Sequence, residues 1–378
     1  MKTNLFFLCW ITFFMTFAQQ HFVISNVRLF DGETIQENIH VEVKDGYIDS
    51  VSKSPISLDI PIIDGSGKTL IPALSNAHVH VWSPQSLKEA AKAGVLNVFD
   101  MHGVEMYQDR LRVFKDSTNY ANFYAAGAAA TVPEGHGTQY GFPTPTLTKV
   151  SEAEKFIKDR VEKGADYIKI IVEPWKTTLS HDVVTELVKE AHQLNKIAVV
   201  HISQLEDAKK VLNNMADGLV HIWPDEPISE ADLNILKNNN PFFIIPTMLT
   251  TLRFVDYMQK NNRGEEIYMT RETLLQELKK LYDAHIPLLT GTDPPNLDIN
   301  YGTDLYEEIK LFVEAGIPNV EALKSATSHI SKSFGIEKAG HIKPGFKADM
   351  ILLNGNPLEN INDISKIELI WKNGKLLN

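Results

Sequence analysis

Eight short apolar runs alternate with helical patterns about every 30 residues, and this alternation constrains the chain more than any other feature. The runs are TLIPALSNA (69–77), VLNVFD (95–100), FYAAGAAAT (123–131), YIKIIV (167–172), IAVVHI (197–202), GLVHI (218–222), FFIIP (242–246) and IPLLTGTD (286–293). Two intervening helices are well marked. One spans 151–164, with Ser151 and Glu154 as a capping box and Gly164 as its stop. The other spans 181–195 behind Ser180. Residues 253–272 are polar and loosely patterned and read as an excursion after the seventh strand. Eight strand–helix units predict an α/β fold, a (β/α)8 TIM barrel, with any active site at the C-terminal ends of the strands. A doubly wound open sheet is the structural alternative.

The two ends of the chain are written differently. Residues 22–70 alternate apolar and polar around turns at Asp31-Gly32, Asp45-Gly46 and Asp64-Gly65, and the tail repeats that style with Pro344-Gly345, Asn354-Gly355 and Asn373-Gly374. Neither end holds enough strands to stand alone, so the two are expected to pair. The predicted organisation is a small composite β-sandwich domain from 19–71 and 340–378, with the barrel at 72–339.

The first 18 residues read as a signal peptide: Lys2, then an apolar run from Leu5 to Ala18 that is 14 residues long, short of the roughly 20 needed to cross a bilayer. Thr16 and Ala18 are small residues suited to cleavage before Gln19. The expected location is therefore periplasmic or secreted, with no membrane association after cleavage. The single cysteine, Cys9, departs with the leader, so no disulfide framework exists. With 37 basic against 48 acidic residues the net charge is -11, which disfavours nucleic acid and anionic lipid as partners. A small-molecule substrate is expected, and a homo-oligomer is compatible with the sequence.

Placed on this strand map, the histidines converge. His78 and His80 follow the first strand as His-Val-His, and residues two apart in extended chain point to one side. His201 closes the fifth strand, His221 the sixth and Asp293 the eighth. Individually each reads equally well as a core histidine or a capping carboxylate; together they lie at one rim.

Lys169 interrupts an apolar strand, where a bare ammonium costs several kcal/mol or loses its proton. Either it is a surface lysine or an ion-pair partner of Asp166 or Glu173, or its amine has added carbon dioxide to become a carbamate able to bridge two metals.

The motifs LIPALSNAHVH, GADYIKI, EAHQLNKIAVVH, LVHIW, IPLLTGTDPP and EALKSATSHISKSFGIEKAGHIKPGFKADMILLNGNP follow one another in an order and spacing that resembles the amidohydrolase superfamily. Within it, the chain is most similar to the imidazolonepropionase-like and prolidase-like binuclear metallohydrolases. The resemblance covers nearly all of the chain after the leader. It implies that His78, His80 and Asp293 hold one metal and His201 and His221 the other, with carboxylated Lys169 bridging both. Two departures stand out: Pro72-Ala73-Leu74-Ser75-Asn76 replaces the usual Pro-Gly-Leu-x-Asp, and Ser203 stands where a Tyr or His often follows the fifth-strand histidine.

For such a site the implied cofactors are two divalent ions, with zinc favoured by the imidazole-rich ligand set and manganese, cobalt or iron also compatible, plus CO2 as the carbamate on Lys169. The implied mechanism is attack of a bridging hydroxide on an amide carbonyl, with Asp293 accepting and then delivering the proton. The substrate would be a dipeptide, an N-acyl amino acid or a cyclic amide. The glycine-rich loop 131–146 lies over the same rim, and His136 between its glycines is a candidate transition-state stabiliser or substrate contact. Tyr140 and His102 are further candidates for substrate binding. Alternatives within the superfamily are a mononuclear deaminase, whose Glu base would stand where this chain has Gln204 or Trp223, and a lactone or ester hydrolase. A periplasmic solute-binding protein is a distant alternative that needs no metal ligands.

Overall fold

A computed structural model describes residues 21–56, 59–237, 241–261 and 269–377. The expected leader, 1–18, lies outside them. Five strands open the described chain: β1 (Phe22–Phe30), β2 (Ile35–Lys44), β3 (Tyr47–Ser52), β4 (Ile62–Asp64) and β5 (Thr69–Pro72). Seven barrel strands follow: β6 (Leu74–Val79), β7 (Val95–Asp100), β8 (Asn122–Ala125), β9 (Ile168–Ile171), β10 (Ala198–His201), β11 (Gly218–Val220) and β12 (Phe243–Ile245). The tail adds β13 (Met350–Leu353), β14 (Ile367–Lys372) and β15 (Lys375–Leu376).

The two chain ends form one eight-stranded sheet in the order β15-β14-β13-β5-β1-β2-β3, with β4 on β1. The turns that the dipeptides announce carry the backbone they require: Asp45 and Gly46 have φ of 54° and 87°, and Asn373 and Gly374 have 49° and 69°. The sheet curls until β3 meets the chain entering β13. There the Ile48 N–H donates to the Phe346 carbonyl at 2.8 Å and the Gly345 N–H to the Ile48 carbonyl at 2.9 Å. Ile24, Leu29, Val41, Val43, Met350 and Leu352 fill the enclosed side, while Phe30, Ile71, Ile351 and Leu353 on the other side pack into the core shared with the barrel.

Parallel pairing runs β6-β7-β8 and β9-β10-β11-β12. Backbone bonds close these two arcs into a ring. Ala130 bridges Ile170, Ile244 bridges Leu288, and the Ala77 N–H donates to the Thr290 carbonyl at 2.9 Å. The barrel is thus completed by irregular chain at two of the eight predicted strands. The third run leaves the sheet at Gly127, φ 74°, and rejoins at Ala130. In the eighth, Pro287 has no N–H to give and the Thr290 N–H turns outward to the Ser325 carbonyl. The predicted first strand, 69–77, is in fact two. The chain passes from sheet to barrel at Ala73, whose N–H bonds Asp349 of the sheet while that of Leu74 bonds Gly94 of the barrel.

The helix predicted at 151–164 starts one step differently: a 3-10 turn at Val150–Glu152 precedes the α-helix at Ala153–Glu162, and Glu152, not Ser151, accepts the free N–H groups of Thr148 and Lys149. Of the supposed excursion at 253–272, residues 253–260 belong to the α-helix Met248–Lys260 and 271–272 open the α-helix Arg271–Asp283, while 262–268 lie outside the described residues.

Strand periodicity sets what enters the barrel. Val199, Val220, Phe243, Phe99 and Tyr167 point inward and form its inner core, while Ile168, Val200, Leu219 and Ile244 point outward to the helices. Lys169 is in register with Val199 and so faces the interior. His201, two residues beyond Val199, continues that inward row at the C-terminal rim.

Candidate active site

The rim of the barrel opens on a cavity of about 240 Å³ lined by His78, His80, His136, Lys169, His201, His221 and Asp293, together with Tyr140, His102 and an apolar wall that includes Trp175 and Phe254. All the residues singled out from the sequence therefore meet in one place.

His78 and His80 extend from β6 as anticipated. Their Nε2 atoms are 3.4 Å apart, and Asp293 Oδ1 lies 3.2 Å from the first and 3.1 Å from the second. Zinc–ligand bonds of about 2.0–2.1 Å in a tetrahedron place neighbouring ligand atoms about 3.3 Å apart, so this triangle matches one face of such a site. The flanking chain holds it rigidly. The Asp293 N–H donates to the His78 carbonyl at 2.8 Å, and Asn76 bonds Thr292 from both ends of its amide. Asn76 thus fills the place of the usual aspartate as a strand-to-strand tie.

Two of the ligand candidates stand on strained backbone. His221 has φ 75° and Asp293 56°, conformations that cost about 1–3 kcal/mol each and concentrate at functional sites. They turn both side chains into the cavity at strand ends.

Burial holds His78, His201 and His221 well below the usual imidazole range, leaving them neutral as metal ligands must be. Burial would lower His80 too, but its hydrogen bond and charge contact with Asp293 raise it. Burial would raise Asp293, yet His80 and His221 hold it below the ordinary carboxylate value.

In two of the rings the remote nitrogen is anchored. His80 Nδ1 pairs with the His102 carbonyl at 3.2 Å and His221 Nδ1 with Thr247 Oγ1 at 2.6 Å. Such outer partners orient a ring toward a metal.

Lys169 is 3% exposed and its Nζ has no hydrogen-bond partner. Neither proposed ion pair forms. Asp166 is taken by Arg112 at 2.8 Å, and Glu173 by His201 at 2.9 Å and Ser203 at 2.6 Å. Burial pulls the Lys169 amine down to about 7, against the pull of Asp293. A buried, unpaired amine beside three imidazoles that burial keeps neutral fits a site that carries metal and a modified lysine.

His136 lies with its ring centroid 4.9 Å from that of His201. Its loop is fastened by the Thr131 hydroxyl, which donates to the His136 carbonyl at 2.7 Å, and by Gly137 at φ 96°, where a side chain would strike Ile171. Tyr140 stacks on Phe142 and forms part of the wall. His102 borders the cavity with both nitrogens engaged: Nδ1 accepts the Ala129 N–H at 2.9 Å and Nε2 donates to the Gly137 carbonyl at 3.0 Å. It braces the loop, and burial drives it down to about 3, so it stays neutral.

Sequence reasoning weighed Glu173 only as a lysine partner and passed over Thr247. Glu173 is 3% exposed, and burial raises it to about 7. Its signal was a carboxylate directly after an apolar strand whose lysine faces the site.

A metal-ready cluster at the mouth of a (β/α)8 barrel defines a metallohydrolase-type site. A sequence profile of the amidohydrolase family matches residues 69–377, and the chain belongs to that family. It is similar to an ochratoxinase of Aspergillus niger, 23% identical over 68% of this chain and 60% of the relative, so it spans less than two thirds of that relative's length. It is also similar to a 5-methylthioadenosine/S-adenosylhomocysteine deaminase of Dictyoglomus turgidum, 24% identical over 88% of this chain and 85% of the relative. Among solved structures, a Xaa-Pro dipeptidase with methionine bound in its active site superposes with a TM-score of 0.81 at 22% identity, covering 95% of this chain and 100% of that one. The fold and the family are those the sequence motifs implied.

Proposed function

We propose that this protein is an exported binuclear amidohydrolase that cleaves the carbonyl–nitrogen bond of a small amide. Lys169 carries this reading: its unpaired, buried Nζ lies on the barrel interior with the His78–His80–Asp293 triangle and the His201–His221 pair around the same cavity. Carboxylation of that amine would give an anion able to join the two half-sites. His78, His80 and Asp293 would hold one ion, and His201 and His221 the other, with zinc favoured by the imidazole donors. Such ions, when bound, acidify a water and polarise the carbonyl oxygen.

The chain's own groups do the rest. Asp293 takes the proton released as water oxygen bonds to the carbonyl carbon, then returns it to the departing nitrogen as the C–N bond breaks. His136 faces the reacting carbonyl from the loop above. The apolar wall of Trp175 and Phe254 receives the side chain of the substrate.

The dipeptidase likeness supports placing dipeptides first among substrates, with N-acyl amino acids and cyclic amides next. The test is a hydrolysis screen of these three classes using zinc-loaded protein prepared with bicarbonate. Release of free amine supports the reading. Ammonia released from purine-type substrates by a one-ion enzyme would replace it with a deaminase, and turnover of lactones alone would replace it with an ester hydrolase. Export is tested separately: the mature protein should begin at Gln19, and a retained Met1 would refute it.

A further inference from the structure

Glu173 ends the segment that follows β9, where its N–H donates to Thr178 Oγ1 at 2.8 Å. Both carboxylate oxygens are used. Oε2 lies 2.9 Å from His201 Nε2, and Oε1 accepts the Ser203 hydroxyl at 2.6 Å. Ser203 in turn accepts the indole N–H of Trp175 at 3.3 Å, and Trp175 packs its ring on Phe254 at 5.7 Å. A continuous chain of contacts therefore runs from the exposed cavity rim to the partly buried His201.

The contact with Glu173 occupies Nε2 of His201, so Nδ1 is the ring atom left to meet a cation. The other rings are arranged the opposite way. His80 and His221 commit Nδ1 to the His102 carbonyl and Thr247, while Nε2 of His78 and His80 faces Asp293. A cation on His201 Nδ1 would also make the opposite N–H a stronger donor to Glu173.

We propose that Glu173 is a positioning residue that fixes the ring of His201 for the second ion by its contact at Nε2, with Ser203 and Trp175 holding Glu173 in place from the cavity rim. This inference rests on the two-ion reading above. Ser203, which departs from the aromatic residue often found there, thereby gains a role as a brace.

The test is zinc affinity by chelator competition for the wild type, Glu173→Ala and Glu173→Gln, with melting of the metal-free proteins as a control. The wild type should bind two ions. Glu173→Ala should keep one of them at near wild-type affinity and bind the other about 10- to 100-fold more weakly. Glu173→Gln, whose amide oxygen still accepts the Nε2 proton, should stay close to wild type. Two ions bound by Glu173→Ala with unchanged affinity would overturn the proposal alone. Equal losses in Glu173→Ala and Glu173→Gln would also overturn it, by making the carboxylate itself a ligand. A wild type that binds a single ion would overturn the two-ion reading and this proposal with it. Nitrogen NMR of histidine-labelled wild type needs no variant to fold: His201 protonated at Nε2 supports the proposal, and protonated at Nδ1 refutes it.

Discussion

Asp293 and His78, more than 200 residues apart in sequence, meet twice: the Asp293 N–H donates to the His78 carbonyl at 2.8 Å, and its Oδ1 lies 3.2 Å from His78 Nε2. The backbone bond fixes the side-chain encounter and so shapes the triangle. Replacing Asp293→Asn should preserve the fold and lower kcat by about 100- to 10,000-fold, the range expected for a lost general acid–base group. Substrate KM should move far less. Steady-state kinetics at matched metal content check this, and a kcat within tenfold of wild type would exclude Asp293 as the proton carrier.

The depressed pKa of Lys169 would give the proposed carboxylation a pH dependence. Only the neutral amine attacks CO2, and with a value of about 7 the neutral fraction rises about tenfold between pH 6 and pH 8. Activation of metal-free protein by bicarbonate plus zinc should therefore accelerate through neutrality and level off above it, after allowing for the CO2–bicarbonate balance. An activation rate that rises only above pH 10, as for an ordinary lysine, would contradict the burial argument.

His102 braces the loop that carries His136. Replacing His102→Ala removes the acceptor for the Ala129 N–H and the donor to the Gly137 carbonyl, so it should lower kcat/KM by more than tenfold while both ions stay bound. Kinetics with parallel metal analysis decide. Loss of an ion would mean that His102 serves the metal site itself.

Glu308 is fully buried, and its two oxygens accept the Met248 and Leu249 N–H groups at 2.9 and 2.7 Å, at the start of the helix that carries Thr250, Thr251 and Phe254 to the cavity. Glu308→Ala leaves both donors buried and unpaired, which should cost about 2–4 kcal/mol in denaturant unfolding. A loss below about 0.5 kcal/mol would show that the helix start is held by other means.

Much of this was legible in the sequence because it is periodic. Alternation along YIKIIV and IAVVHI places Lys169 and His201 on the barrel interior, and His-Val-His carries two rings to one side. The irregular parts were not legible. The eighth strand is disrupted by Pro287 and by the outward bond of Thr290, and the break at Ala73 depends on contacts with Asp349 and Gly94, distant in sequence or in fold. Glu173 reaches His201 only because the chain after β9 turns back on Thr178, a loop conformation that no repeat encodes. Likewise, Thr247 finds His221 through a left-handed residue at φ 45° that no propensity favours for threonine.

The central claim is that Lys169 joins two ions in one centre. Counting zinc per chain after loading with bicarbonate, in the wild type and in Lys169→Ala, tests it most directly. Two ions are expected in the wild type and at most one tightly bound in the variant. One ion or none in the wild type, or a Lys169→Ala protein that binds zinc as the wild type does, would contradict it.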